Sequence, residues 1–274
     1  MNKETDTISY QELDSLVAFI KNIHGFDFSG YSAASLKRRV SRIMELQRLS
    51  LFELRTLLTN DADYFELFLI EVTVNVTEMF RDPPFYQSVV SNIIPYLKSY
   101  QRIKVWNAGC STGEELYSFA ILFSEANLYE RAFFYGTDIN ADVLEQAKNG
   151  IYNLHKMKQY AENFQNTATT NTLSNYYTAK YDAASIHHSL KKNILFSVHN
   201  LASDGVFNEF QLISCRNVLI YFNTDLQKKV IELFYNSLAN FGFLCLGSKE
   251  TLRSTELGRF KVIDKKNNIY QKIA

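Results

Sequence analysis

The sequence predicts a small all-α domain followed by an α/β domain built on a doubly wound parallel sheet. Three observations carry this. Through residue 72 apolar residues recur at helical spacing, with no strand-like run. From residue 103 onward short apolar strands alternate with helical segments, the pattern of parallel βαβ units. The chain has 274 residues, 46% hydrophobic and 14% aromatic, enough to build a core in each of two domains.

In the first part, Ser9-x-x-Glu12 is a capping box ahead of Leu13, Leu16, Val17, Ile20 and Ile23, an apolar stripe at helical spacing. Gly25 and Gly30 punctuate the chain. A second helix is expected over about Ser32 to Arg48, with Leu36, Val40, Ile43 and Gln47 along one side. At about 100° per residue, Arg38, Arg39 and Arg42 gather on the opposite side. Ser50-x-x-Glu53 caps a third helix, and Asp63 starts a fourth that runs to about Glu71. The basic side is either a solvated face or a docking surface for an acidic protein partner.

Between the parts lies TVNVTEMFRDPPF, residues 73–85, which carries far more hydrogen-bonding chemistry than a plain linker. Pro83 and Pro84 suit the first turn of a helix that continues to about Ile94. Strands are predicted at Ile103–Asn107, Phe133–Thr137, Ile194–Val198, Leu212–Cys215 and Phe243–Leu246. Helices are predicted over about Glu114–Asn127, Ala141–Lys148 and Thr224–Ala239, and the end reads as a hairpin, Phe260–Ile263 with Asn268–Lys272.

Composition excludes several classes. Lys+Arg and Asp+Glu both number 29, so no global field draws the chain to nucleic acid or to a membrane. No apolar run is long enough to span a bilayer, and the polar start MNKETDTISYQEL is unlike a signal peptide. Cys110, Cys215 and Cys245 show no metal-ligand clustering and read as reduced thiols in a cytoplasmic protein.

Ligands of doubly wound sheets bind at the carboxyl ends of the strands. After the first strand, the small residues Ala108 to Gly113, with Gly109 in the turn, admit a ligand to a helix N-terminus. After the second comes Asp138, suited to both ribose hydroxyls of a nucleoside. After the third comes Asn200-Leu201, an amide and an apolar group suited to adenine, and after the fourth Arg216-Asn217. Each alone has a plain alternative: a tight turn, a helix N-cap, ordinary polar turn residues. Their order along one sheet edge fits an adenosine ligand. With no full GxGxxG a dinucleotide fits less well than S-adenosylmethionine, which has no phosphate.

NVTEMFRDP, VWNAGCSTGEELYS, GTDINADVLEQAKNGIY and SCRNVLIYFN, in this order, resemble the successive signatures of the CheR family, glutamate methyltransferases of chemotaxis receptors. The resemblance covers nearly the whole chain, including the helix KRRVSRIM. It implies a Rossmann-like class I methyltransferase domain over 87–274 after an all-α domain over 1–72 and a connector over 73–86. It also implies a small inserted β-subdomain, placed here at 153–192. The implied donor is S-adenosylmethionine, the product S-adenosylhomocysteine, and the acceptors are glutamate γ-carboxylates in the helical cytoplasmic domain of a receptor, in sensory adaptation. Carried over, Asn75, Thr77 and Arg81 occupy the first cofactor motif, and Glu115 neighbours the methionyl amino group. Asp138 is the ribose acid, Asn200-Leu201 adjoin adenine, and Arg216-Asn217 close the pocket. GSKE at 247–250 stands where GHSE is often seen.

A glutamate side chain is ionised at neutral pH, its ordinary pKa being about 4.3. It can attack a sulfonium methyl without a general base, so no catalytic His, Cys or metal is required and none is expected. Arg81 is placed to steer the acceptor carboxylate or to hold the donor's. Tyr221 is expected either to set a hydroxyl beside the reacting carboxylate or to be a core tyrosine. A monomer is expected. Two other readings stay open: a methyltransferase of another acceptor, and a non-catalytic scaffold that binds adenosyl ligands.

Overall fold

A computed structural model describes residues 8–73, 77–167, 169 and 171–274. The chain divides into two compact units, Met1–Asn75 with Leu219–Val230, and Val76–Val218 with Ile231–Ala274.

The first unit holds α1 (Tyr10–His24), α2 (Ala33–Gln47), α3 (Leu51–Asn60) and α4 (Ala62–Thr73). Both predicted capping boxes form, Ser9 with Glu12 and Ser50 with Glu53, so two of these helices begin where local sequence dictates. Their apolar stripes close a core around Leu16, Ile20, Val40, Leu54, Leu58 and Phe68. A late segment joins them. Ser32 N–H donates to the Tyr221 carbonyl at 2.8 Å, Asn223 N–H to the Gly30 carbonyl at 2.9 Å, and Tyr31 forms an isolated bridge with Phe222. Nothing local in residues 219–230 signals this, because their partners lie far back in the chain.

The second unit opens with α5 (Pro83–Ser88) and α6 (Ile94–Leu97), then β1 (Ile103–Ala108), α7 (Glu114–Glu125), β2 (Ala132–Asp138) and α8 (Ala141–Asn149). Next come β3 (Ile151–Asn153), α9 (Leu154–Gln165), β4 (Tyr177–Lys180), β5 (Ala183–Ile186), β6 (Ile194–Val198) and β7 (Phe210–Cys215). The chain ends with α10 (Thr224–Ser237), which runs from the first unit into the second, β8 (Leu238–Leu246), α11 (Ser254–Leu257), β9 (Phe260–Asp264) and β10 (Ile269–Lys272). The helix expected over 83–94 is not uniform: a π-wound turn, Val89–Ile93, separates α5 from α6. Pro95 has no N–H to give the fourth carbonyl back, and its ring crowds that carbonyl, so the turn before it widens.

The seven-stranded sheet has the order β6-β2-β1-β7-β8-β10-β9. The first five strands run parallel, and β10 pairs antiparallel with β8 and β9, which gives the terminal hairpin. Central strands are covered on both faces, and β1 and β7 are each buried at five of their six positions, polar Asn107 and Ser214 included. The chain goes one way from β1 to β2 and β6, then returns to the other side of β1 with β7 and β8. The switch point therefore lies between β1 and β7, where such sheets open a crevice. A separate three-stranded antiparallel sheet, β3-β5-β4, forms between β2 and β6 of the large sheet; it begins at Ile151, two residues before the subdomain expected over 153–192, and β4 is its exposed edge.

Candidate active site

The loop after β1 is drawn across to β2. Gly109 N–H and Cys110 N–H both donate to the Thr137 carbonyl, at 2.8 and 2.9 Å. Gly109 has φ +73°, and a Cβ there would lie 2.5 Å from the Val218 side chain, so only glycine fits both the turn and the space. Two residues on, Ser111 is also left-handed, and its N–H donates to Asp138 Oδ2 at 2.9 Å. The other Asp138 oxygen accepts from Asn140 N–H at 3.2 Å. At 7% exposure this carboxylate is buried, and burial pushes its pKa up against the backbone N–H groups that hold it down. Each oxygen keeps a lone pair for a further donor.

The end of β6 is tied in as well. His199 N–H donates to the Asp138 carbonyl at 3.0 Å. Beyond it Asn200 shapes its own turn: its N–H donates to Asp204 Oδ2 at 2.8 Å, and its Oδ1 accepts from Ala202 N–H at 2.9 Å. Leu201 is buried beside it.

Across the switch point, one carboxylate gathers three elements. Glu115, in the first turn of α7, accepts from Asn107 Nδ2 of β1 at 2.9 Å and Ser214 Oγ of β7 at 2.6 Å. Its second oxygen accepts from Arg216 at 2.8 Å. The Arg216 side chain is 2% exposed and also pairs with Asp82 at 2.7 Å. Its guanidinium lies 3.9 Å from the centre of the Phe85 ring. Burial works against this charge, and Glu115 and Asp82 more than restore it. Arg216 thus latches the connector to the sheet.

Arg81 stands apart. It is half-buried between two left-handed residues, Phe80 (φ 55°) and Asp82 (φ 59°), and its side chain has no hydrogen bond or ion pair among the described residues. Left-handed backbone costs an ordinary residue about 1–3 kcal/mol and clusters where function requires it. Ser111 (φ 50°) and Asn217 (φ 63°) at the strand ends share this strain.

Several buried polar atoms have no partner among the described residues: Ser111 Oγ, Asn107 Oδ1 and Arg216 Nε. Buried polar groups are rarely left so without a ligand or water to meet them. Together with Asp138 they form a set of acceptors and donors along the carboxyl ends of β1, β2 and β7. That set suits a ligand with hydroxyls and an ammonium group, as an adenosyl amino acid has.

Thr77 is half-buried at the start of the described connector, and Asn75 lies outside the described residues. Tyr221 belongs to the helical unit, where the Arg39 guanidinium sits 4.9 Å from its ring centre. Arg39 is thus partly used, while Arg38 and Arg42 on the same helix are exposed. Asn107, Ser214, Asp82, Phe85 and Glu250 were not singled out by the sequence reading as site residues. Asn107 carries a signal in retrospect, as a polar residue inside the buried strand IKVWNA. Among the described residues no group of three or more His, Cys, Asp or Glu is placed to hold a metal. The three cysteines are buried and unpaired, and no helix of the described residues is long and apolar enough to cross a membrane.

Residues 75–269 match the family model "CheR methyltransferase, SAM binding domain", and residues 11–73 match "CheR methyltransferase, all-alpha domain". A Pseudomonas putida protein, named provisionally as methyltransferase Cher3, is 43% identical over 95% of this chain and 96% of its own. A chemotaxis protein methyltransferase of Listeria monocytogenes is 30% identical over 85% of this chain and 87% of its own. A 104.1 kDa protein of Rhodobacter capsulatus is 29% identical over 89% of this chain, which spans 26% of that longer protein.

Proposed function

This chain belongs to the CheR family of S-adenosylmethionine-dependent chemotaxis methyltransferases, and on that footing we propose that it methylates glutamate γ-carboxylates of chemotaxis-type receptors. The observation that carries the reading is a buried acceptor, Asp138, in the same unit as a guanidinium, Arg81, whose side chain has no partner among the described residues, while Arg216 is committed to Glu115 and Asp82. When bound, S-adenosylmethionine supplies an electrophilic methyl on its sulfonium.

The chain's own residues then have separable tasks. Asp138 accepts the ribose hydroxyls, Leu201 and Asn200 adjoin the adenine, and the Ala108–Gly113 turn lets backbone approach the ligand. Glu115 adjoins the methionyl ammonium while remaining paired with Arg216. Thr77 completes the connector's side. Arg81 holds the incoming carboxylate in line with the methyl, and such alignment of bound reactants lowers a barrier by about 7–11 kcal/mol. The acceptor arrives ionised, so no proton has to be taken from it. Arg39 over the Tyr221 ring supports a packing task for Tyr221 rather than a chemical one.

The test is transfer of tritiated methyl to receptor-containing membranes followed by base. Carboxyl methyl esters release volatile methanol; N-methyl and nucleic-acid products do not. Counts that stay non-volatile would overturn the glutamate assignment, and absence of transfer with intact ligand binding would make the chain a scaffold.

Asp138→Ala is expected to weaken S-adenosylhomocysteine binding at least about tenfold, since a charge-assisted hydrogen bond is worth about 1.5–3 kcal/mol. Calorimetry checks this, and its pH dependence adds a sign. Hydroxyl donors favour the ionised carboxylate, so the pKa of Asp138 falls on binding. Affinity is then full above the raised pKa of the free protein and declines as pH drops through it. Asp138→Asn should flatten that decline.

Arg38 and Arg42 are exposed and make no ion pair among the described residues, which supports docking of an acidic helical receptor surface. Reversing both to Glu is expected to slow receptor methylation and remove its salt sensitivity, with S-adenosylhomocysteine affinity unchanged. Methylation equal to the parent's at every salt concentration would make this a merely solvated face.

A further inference from the structure

Glu250 has no task in the mechanism above, yet it is a carboxylate at 5% exposure beside the end of β7. It follows β8 in the segment Gly247-Ser248-Lys249-Glu250. A single oxygen, Oε2, accepts from Gly247 N–H at 2.6 Å and from Asn217 N–H at 2.8 Å. One side chain thus joins the loop after β8 to the loop after β7. The clamp is backed from β10, where Asn268 Nδ2 donates to the Gly247 carbonyl at 2.9 Å and Tyr270 Oη to Asn268 Oδ1 at 3.3 Å. It also explains Gly247. A Cβ there would meet Glu250 Oε2 at 2.5 Å and Asn217 N at 2.8 Å, so any side chain would part the two loops.

Asn217 is the residue that needs holding. Its φ of 63° is left-handed, a conformation that persists in a non-glycine residue only where its surroundings over-determine it. It directly follows Arg216, which is committed to Glu115 and Asp82, and it lies three residues after Ser214, which is committed to Glu115. The strain at Asn217 therefore sits at the C-terminal end of a chain of fixed groups, and Glu250 fixes its last backbone donor.

We propose that Glu250 is a positioning residue for methyl transfer: its carboxylate holds Asn217 in the left-handed turn and so sets the Arg216–Asn217 side of the site. The inference rests on the methyl transfer proposed above and adds a residue from the loop after β8 to it. What the site uses is an oxygen that accepts two backbone N–H groups at this reach.

The test compares the full-length parent with Glu250→Gln, Glu250→Asp and Glu250→Ala. Hydrogen exchange of the Asn217 amide is read in the cofactor-free protein, and methyl transfer to receptor membranes is read per folded molecule. The Asn217 amide is expected to be protected in the parent and in Glu250→Gln, whose amide oxygen accepts at the same reach. It is expected to exchange faster in Glu250→Asp, one methylene short, and in Glu250→Ala. Turnover should fall at least about tenfold in the latter two and be largely rescued in Glu250→Gln. Should Glu250→Ala not fold, Glu250→Asp against Glu250→Gln decides. Parent-like turnover and exchange in Glu250→Asp would overturn the proposal, as would equal loss in Glu250→Gln and Glu250→Asp. An active parent with unimpaired variants removes the positioning role alone. An inactive parent removes the proposed function, and the positioning role with it.

Discussion

Arg216→Met is expected to destabilise the α/β unit by about 3–5 kcal/mol, the usual cost of breaking a buried ion pair from one side. The size comes from what is left behind. Glu115 would keep Asn107 and Ser214 as donors but lose its cation, in a place with almost no solvent to replace it. Asp82, whose side chain is 43% exposed, would be far less penalised. The ring of Phe85 would lose the guanidinium stacked on it. Arg216→Lys should recover little, because a compact ammonium cannot serve two carboxylates and stack on a ring at once. The double variant Glu115→Gln/Arg216→Met should cost much less than the sum of the singles, since no buried charge is then orphaned. Urea midpoints of the parent, Arg216→Met, Arg216→Lys, Glu115→Gln and the double variant check this. A loss under about 1 kcal/mol for Arg216→Met would mean that the latch is solvated in solution.

That latch shows where a sequence stops being legible. Helices and strands came from local period and length, and capping boxes marked the starts of α1 and α3, because those signals span a few residues. Small residues after β1 and an acid after β2 mark a candidate ligand edge for the same reason. Arg216 was expected to close a pocket, and its partners, Glu115 and Asp82, are 101 and 134 residues away. No local pattern encodes such a pairing. The same holds for residues 219–230, which pack with helices that end before residue 75, and for Glu250, whose acceptor bond to Asn217 spans 33 residues. Pro95 is the opposite case: its effect is local, and the widened turn over Val89–Ile93 follows from that residue alone.

Arg81→Ala is expected to leave the fold intact and to lower methyl transfer by about tenfold to a hundredfold, the worth of a charge-assisted bond at the reacting group. An Arg81 that merely fixed the connector would pair with Asp82 or Glu78. Asp82 is instead engaged by Arg216, and neither carboxylate pairs with Arg81. The connector is fixed without it: Phe80 is fully buried, its N–H donates to Ser118 Oγ at 3.0 Å, and Arg216 holds Asp82. Two left-handed residues on either side then present Arg81 with its guanidinium uncommitted. Removing that side chain relieves no strain and breaks no described bond, so melting should stay within a degree or two of the parent. Arg81→Lys should restore only part of the rate, because a point charge replaces a planar fork that can grip a carboxylate through two parallel bonds. Single-turnover rates measured beside thermal melts separate the two roles. A large fall in melting temperature with near-normal turnover per folded molecule would show that Arg81 serves the fold and not the reaction.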